Sequence, residues 1–203
     1  MSGPDPVDVQ RSIDPARLLA VLAQLVDWHR QSGHRVATLL RPGLASDAIA
    51  DKLAAAGLAP TPELTALYGW HDGTDTGDGL EYPLIWYHRF LPLDEALTLR
   101  RERVKLLGPD WPADWLPVFA FEGEDYAVAC PRGGPVYFAF LEDTESPAVY
   151  LSLTRLLETQ YEGLRGCHGR GEDNGFALEL DVADYATLHA QMNPGLPFPY
   201  AVP

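Results

Sequence analysis

Between Leu116 and Leu151 four short β-type runs follow one another: Leu116–Phe121, Tyr126–Cys130, Val136–Phe140 and Ala148–Leu151. Turn-forming clusters separate them, namely Glu122-Gly123-Glu124-Asp125, Pro131-Arg132-Gly133-Gly134-Pro135 and the stretch from Glu142 to Pro147. Connections this short favour an antiparallel meander, because parallel neighbours need long crossovers.

On either side of that block the apolar period is helical. Asp14-Pro15 places a cap and then a proline, and Leu18, Leu19, Leu22, Leu25 and Val26 give the helix a broad apolar face to about Gln31. Arg41-Pro42-Gly43 breaks the chain. Ser46 is read as the cap of a second helix through Leu53 to Ala56, stopped by Gly57. Pro83–Tyr87 reads as a buried strand, and a helix begins at Leu93 and ends at Gly108-Pro109. After the meander, Ser152 caps a helix over Leu153–Leu164. Four glycines fall between Gly166 and Gly175, Phe176–Leu180 alternates like a strand, and Val182–Met192 forms a last helix stopped by Asn193-Pro194-Gly195. The expectation is a single α+β domain over 14–195, with N-terminal helices, a central, mostly antiparallel sheet and C-terminal helices. Residues 1–13 are expected to be a loose lead-in and 196–203 an extended Pro-rich tail.

The segment from Thr61 to Thr74 carries the most specific pattern. Thr61 can cap a helix, Pro62 suits its first position, and Leu64, Leu67 and Tyr68 share one face at i, i+3, i+4. Trp70 comes next, and Asp72-Gly73 is read as the stop. A helix that ends in an aromatic plus Asp-Gly, before an Asp/Gly-rich loop and an apolar strand, resembles the SUKH superfamily of cell-wall-assembly regulators (Smi/Knr-like) and bacterial immunity proteins. Further segments resemble the family in order: Leu91–Ala96, Trp115–Phe119, Ser152–Glu158 and Asn193-Pro194. The resemblance covers roughly 45–195. It implies a non-enzymatic binding domain, with Leu64, Leu67, Tyr68, Trp70, Asp72 and Gly73 as structural residues of the motif.

Bulk charge narrows the partners. The net charge of −14 is repelled by nucleic-acid backbones and anionic membrane surfaces, and it suits a basic protein partner or simple solubility. Met1–Gln10 holds no apolar run, and no stretch approaches the ~20 apolar residues of a membrane span. With two cysteines, Cys130 and Cys167, a cytoplasmic, reduced protein is the simplest expectation, and the sequence leaves their pairing open.

Candidate chemistry is thin. His71-Asp72 has the residue types of a base and an orienting carboxylate, but helical neighbours do not face each other. Asp72, Asp75, Asp78 and Glu81 recur every three residues, yet the spacing fails the calcium-loop pattern, so no metal is expected. Cys167-His168, with His189, lacks any supporting pattern for a nucleophile. No cofactor motif is present, since Gly169-Arg170-Gly171 lacks the phosphate-loop spacing. The acidic turns carry more. Glu122, Glu124 and Asp125, and Glu142, Asp143 and Glu145, fall at alternate turns of the meander, which emerge at one edge and can sum their fields. Together with Asp75, Asp78 and Glu81 they are the candidate partner-binding residues. Three readings follow in order. The first is an immunity protein that binds a basic toxin, for instance a nuclease. The second is a regulatory or scaffold protein of the same family, and the third a hydrolase using His71 and nearby carboxylates.

Overall fold

The structure, a computed structural model, describes residues 6–76, 82–129, 134–141, 145–166, 170–171, 178–179 and 181–200. The first half is largely helical: α1 Pro6–Ser12, α2 Pro15–Gln31, α3 Val36–Leu39, then strand β1 Leu40–Pro42, α4 Ser46–Ala55, α5 Pro62–Trp70 and β2 His71–Thr74. Strand β3 Arg89–Phe90 and helix α6 Leu93–Leu107 lead into β4 Trp115–Phe121, β5 Glu124–Ala129, β6 Val136–Phe140 and β7 Ala148–Tyr150. Helix α7 Leu153–Gly166, a small pair β8 Arg170–Gly171 and β9 Leu178–Glu179, and α8 Val182–Met192 complete the chain. The fold class is therefore α+β, with helices before and after an antiparallel sheet, as expected.

Strands β3 to β7 form one five-stranded antiparallel sheet in sequence order, while β1 pairs with β2 in a separate ribbon. The meander is the one the turn clusters predict. One face of the sheet carries Phe90, Phe119, Tyr126 and Phe138 and joins the main core with Leu18, Leu22, Leu25, Leu64, Leu67, Tyr68, Leu153, Leu156 and Leu157, all buried. The other face packs under α6, where Trp111, Trp115, Ala127 and Ala139 meet Val104 and Leu107 in a second, smaller core. Alternation along each strand divides the residues between these layers. Among the described residues no helix is long and apolar enough to cross a membrane.

The local caps match the residues that suggest them. Asp14 accepts the Arg17 N–H, the Thr61 hydroxyl accepts the Leu64 N–H at 3.1 Å, and Ser152 Oγ accepts the Arg155 N–H at 3.1 Å. Leu64, Leu67 and Tyr68 are fully buried.

Several expectations are corrected. Residues 6–12 are helical, and Ser12 is buried, its carbonyl receiving the Ser152 hydroxyl at 2.8 Å, so the lead-in is pinned to the start of α7. Ser46 is the first helical residue of α4, and the cap position falls to Ala45, which has no capping side chain. Pro83–Tyr87 is buried apart from Tyr87 but is no strand. The Leu84 N–H donates to His88 O and the His88 N–H to Ile85 O, closing a tight turn in which Tyr87 takes φ 60°. Asp72-Gly73 does not stop α5 either. The helix ends at Trp70, and His71 enters β2 with extended φ −148°. The Asp-Gly pair acts at long range instead, because Asp72 Oδ1 accepts the Leu93 N–H at 2.8 Å and so caps α6. A Cβ on Gly73 would lie 2.2 Å from Pro92 N, so only glycine lets the two chains approach this closely. The tail to Tyr200 is irregular, but Phe198 and Tyr200 pack on the main core.

Candidate functional site at the acidic edge of the sheet

The β4–β5 hairpin turns on two residues. Glu122 (φ 43°) and Gly123 (φ 100°) both lie on the left-handed side, and Phe121 pairs with Glu124 across the turn. A two-residue turn with both central φ angles positive matches the twist of the flanking strands. Leu141, at the end of β6, donates its N–H to Gly123 O at 3.1 Å. The start of the β6–β7 connection therefore sits against the β4–β5 turn, at the same edge of the sheet.

The tight turn fixes which carboxylates face outward. Glu122 is exposed at the turn and Glu145 is exposed before β7. Glu124 and Asp125 are already strand residues and point to opposite faces. Asp125 is a correction to the predicted patch: it is buried on the α6 side, where the Arg103 guanidinium grips it at 2.5 and 3.2 Å. Burial raises its carboxyl above the usual range, and Arg103 opposes the rise. Glu124 faces the other way, with its side chain one-quarter exposed, and its Oε2 lies 3.6 Å from Nε2 of a fully buried His88. Burial and then the charge of Glu122 raise the Glu124 carboxyl. Burial also pushes His88 down to about 4, only partly offset by its bond to Trp86 O.

Beside these groups stands a residue that sequence reasoning missed. Tyr87 is 40% exposed, holds φ 60° and stacks on Phe121 at 5.8 Å and on Trp86 at 5.1 Å. Non-glycine residues rarely adopt this conformation, and nothing in the apolar run Pro83–Trp86 signals it. Beneath lies an aromatic floor. Tyr126 and Tyr200 touch through their hydroxyls at 3.1 Å, Tyr150 and Tyr185 do the same, and Trp86 and Phe138 pack on Tyr200. On the α6 side of the same hairpin lies a cleft of about 330 Å³ lined by Arg89, Glu95, Glu102, Arg103 and Glu122. Arg89 is tied to Glu95 and Arg103 to Asp125.

The remaining candidates lie elsewhere. Asp75 is exposed at the end of the β1–β2 ribbon, 3.7 Å from Arg41 Nε. Asp78, Glu81, Glu142, Asp143, Cys130, Cys167 and His168 lie outside the described residues. His71 Nδ1 contacts Arg41 O while Asp72 serves Leu93, so the pair is committed to two separate backbone partners. His189 is buried against Val149 O at 2.7 Å. Among the described residues, no group of three or more His, Cys, Asp or Glu side chains is placed to hold a metal ion. Comparison with protein-family models gives no match, and comparison with curated protein sequences gives none either.

Proposed function

We propose that the chain is a protein-binding domain of the SUKH type that acts without catalysis, and that the acidic edge of its sheet docks a basic protein. An immunity role, in which the domain covers the active site of a basic toxin, is the form of this reading we favour. The observation that carries it is Tyr87. An aromatic ring held outward on left-handed backbone is costly to the fold, and such strain collects at binding sites. Its surroundings suit a docking surface: Phe121 stacks against it, Glu122 and Glu124 lie at the adjoining hairpin, and Glu145 lies in the β6–β7 connection, whose start touches that hairpin. Rigid aromatic anchors supply lasting affinity, while surrounding charge sets encounter rate and selects the partner's sign. The net charge of −14 extends that field beyond the edge.

The test is association kinetics with the basic protein that co-purifies from the native host, measured across a salt series. The on-rate should fall as salt rises, because the screening length shrinks to about 10 Å at 0.1 M. The Glu122→Lys/Glu145→Lys double variant should slow association markedly while leaving the unfolding transition in place, since both residues are exposed. A salt-independent on-rate that the double variant leaves unchanged would reduce the acidity to solubility and remove the proposal.

A further inference from the structure

Among the described residues, the carboxylates that the fold buries or half-buries have partners, with one exception. Asp125 is held by Arg103, Glu158 by Arg17 and Arg155, and Asp72 by Leu93 N–H with Arg41 nearby. Glu63 accepts from Leu153 N–H, Thr154 N–H and the Thr154 hydroxyl. Glu124 is different. Among the described residues no arginine or lysine pairs with it, and its basic neighbour is His88. The His88 Nδ1 lies 2.8 Å from Trp86 O, a bond only Nδ1–H can make, so Nε2 is left as a bare acceptor. That Nε2 is fully buried, has no hydrogen-bond partner and looks toward Glu124 Oε2 across 3.6 Å. Two acceptors thus face each other in a partly desolvated site, an arrangement that favours an incoming donor with positive charge.

The surroundings of the pair sharpen the choice of donor. The other ionisable groups near it are Glu122, which adds negative charge, and the buried hydroxyls of Tyr126 and Tyr200, which bond to each other. His88 is otherwise enclosed by the rings of Phe121, Tyr126 and Phe138. Tyr87 stacks on Trp86 and on Phe121 and still keeps 40% of its surface exposed, and Phe121 pairs across the turn with Glu124. A planar, weakly hydrated guanidinium packs against an exposed aromatic side chain while donating in its own plane to a carboxylate, and an ammonium does this poorly.

Resting on the docking reading above, we infer that the acidic edge is an arginine-anchor site. A partner guanidinium packs against the exposed part of Tyr87, donates to the Glu124 carboxylate, and takes charge support from Glu122. Its fork has five N–H donors, enough to hold the two oxygens of Glu124 in a bidentate pair. The partner's critical contact residue is then an arginine, with lysine a weak substitute.

The experiment is a backbone NMR titration of the full chain with two blocked tripeptides, acetyl-Gly-Arg-Gly-amide and acetyl-Gly-Lys-Gly-amide. The arginine peptide should shift the Tyr87, Glu122, Gly123 and Glu124 amides saturably, and the lysine peptide should bind about fivefold or more weakly. Glu124→Gln should weaken the arginine peptide about tenfold, because it removes the charge-assisted acceptor. Tyr87→Gly keeps the backbone conformation permissible and removes the ring, and it should erase the preference for arginine over lysine. Equal binding of the two peptides would overturn the guanidinium assignment while leaving basic-partner docking to the kinetic test above. Shifts confined to residues away from this edge, or Glu124→Gln binding like the wild type, would overturn the site itself.

Discussion

Gly57 and Gly73 offer a matched pair for measuring what the Asp-Gly motif does. Their φ angles are nearly equal, +73° and +76°, so an alanine at either position carries backbone strain of about 1–2 kcal/mol or more. At Gly57 an added Cβ meets nothing within 4 Å, and the strain is the whole cost. At Gly73 it would sit 2.2 Å from Pro92 N and 2.6 Å from Leu91 C and Pro92 Cα, all backbone atoms that cannot rotate away. Ordinary contacts of this kind lie at about 3.5–4.0 Å, so β2 and the segment before α6 must separate by more than about 1 Å. That separation breaks the bond from Leu93 N–H to Asp72 and leaves a buried carboxylate without its donor, a further penalty of about 1–3 kcal/mol. With strain, clash and lost cap together, Gly73→Ala should cost about 3–6 kcal/mol, against a total stability of order 5–15 kcal/mol. Urea unfolding with a common m-value gives both numbers, and melting temperature gives a check at about 2–4 °C per kcal/mol for a chain of this size. Equal losses for the two variants would refute the close-approach account and return Gly73 to the role of an ordinary turn residue.

Three further outcomes are expected. Leu67→Asp places a charge at a fully buried position and should cost about 4 kcal/mol or more, read as loss of the cooperative urea transition; an unchanged midpoint would count against the α5 assignment. His29 and His88 are both pushed down to about 4 by burial, so the fold holds them neutral while the unfolded chain protonates them near 6.5. Their contribution is therefore complete above about pH 6.5 and is lost as pH falls toward about 4, whereas Glu63, Glu124 and Asp125, raised by burial, work in the opposite sense. Imidazole resonances of His29 and His88 that titrate above about pH 5 would refute this. Finally, Asp125→Ala should destabilise by about 3–5 kcal/mol because it strands the buried Arg103, while Glu124→Gln should stay within about 1 kcal/mol of the wild type in the same unfolding assay.

What the sequence tells plainly is what local chemistry decides. Asp14, Thr61 and Ser152 each cap the helix that starts beside them, and the turn clusters between 116 and 151 alone imply the meander. What it conceals depends on distant partners. Asp72 looks like part of a helix stop because its true client, the Leu93 N–H, lies 21 residues away. Pro83–Tyr87 looks like a strand because continuous burial and strand pairing leave the same apolar run. The run is buried as a turn beneath the tail aromatics, and tyrosine carries no cue for left-handed backbone. The site residues Tyr87 and His88 were hidden for that reason.

The division between Glu124 and Asp125 was, by contrast, within reach of the sequence. Reading Glu122-Gly123-Glu124-Asp125 as a four-residue turn leaves both acids in solvent, whereas a two-residue Glu122-Gly123 turn starts β5 at Glu124 and sends its neighbour to the other face. Glycine in the second place of a tight hairpin was the available signal. The consequence reaches function, because a one-residue change of strand start inverts every side chain after it. With the observed start, Tyr126 and Val128 join the main core, Asp125 meets Arg103 under α6, and Glu124 is left at the rim over His88. The acidic edge is thus smaller than the sequence implies, and it is more specific. Asp125's charge is spent inside the fold, and among the described residues no arginine or lysine pairs with the Glu124 carboxylate that remains beside Tyr87.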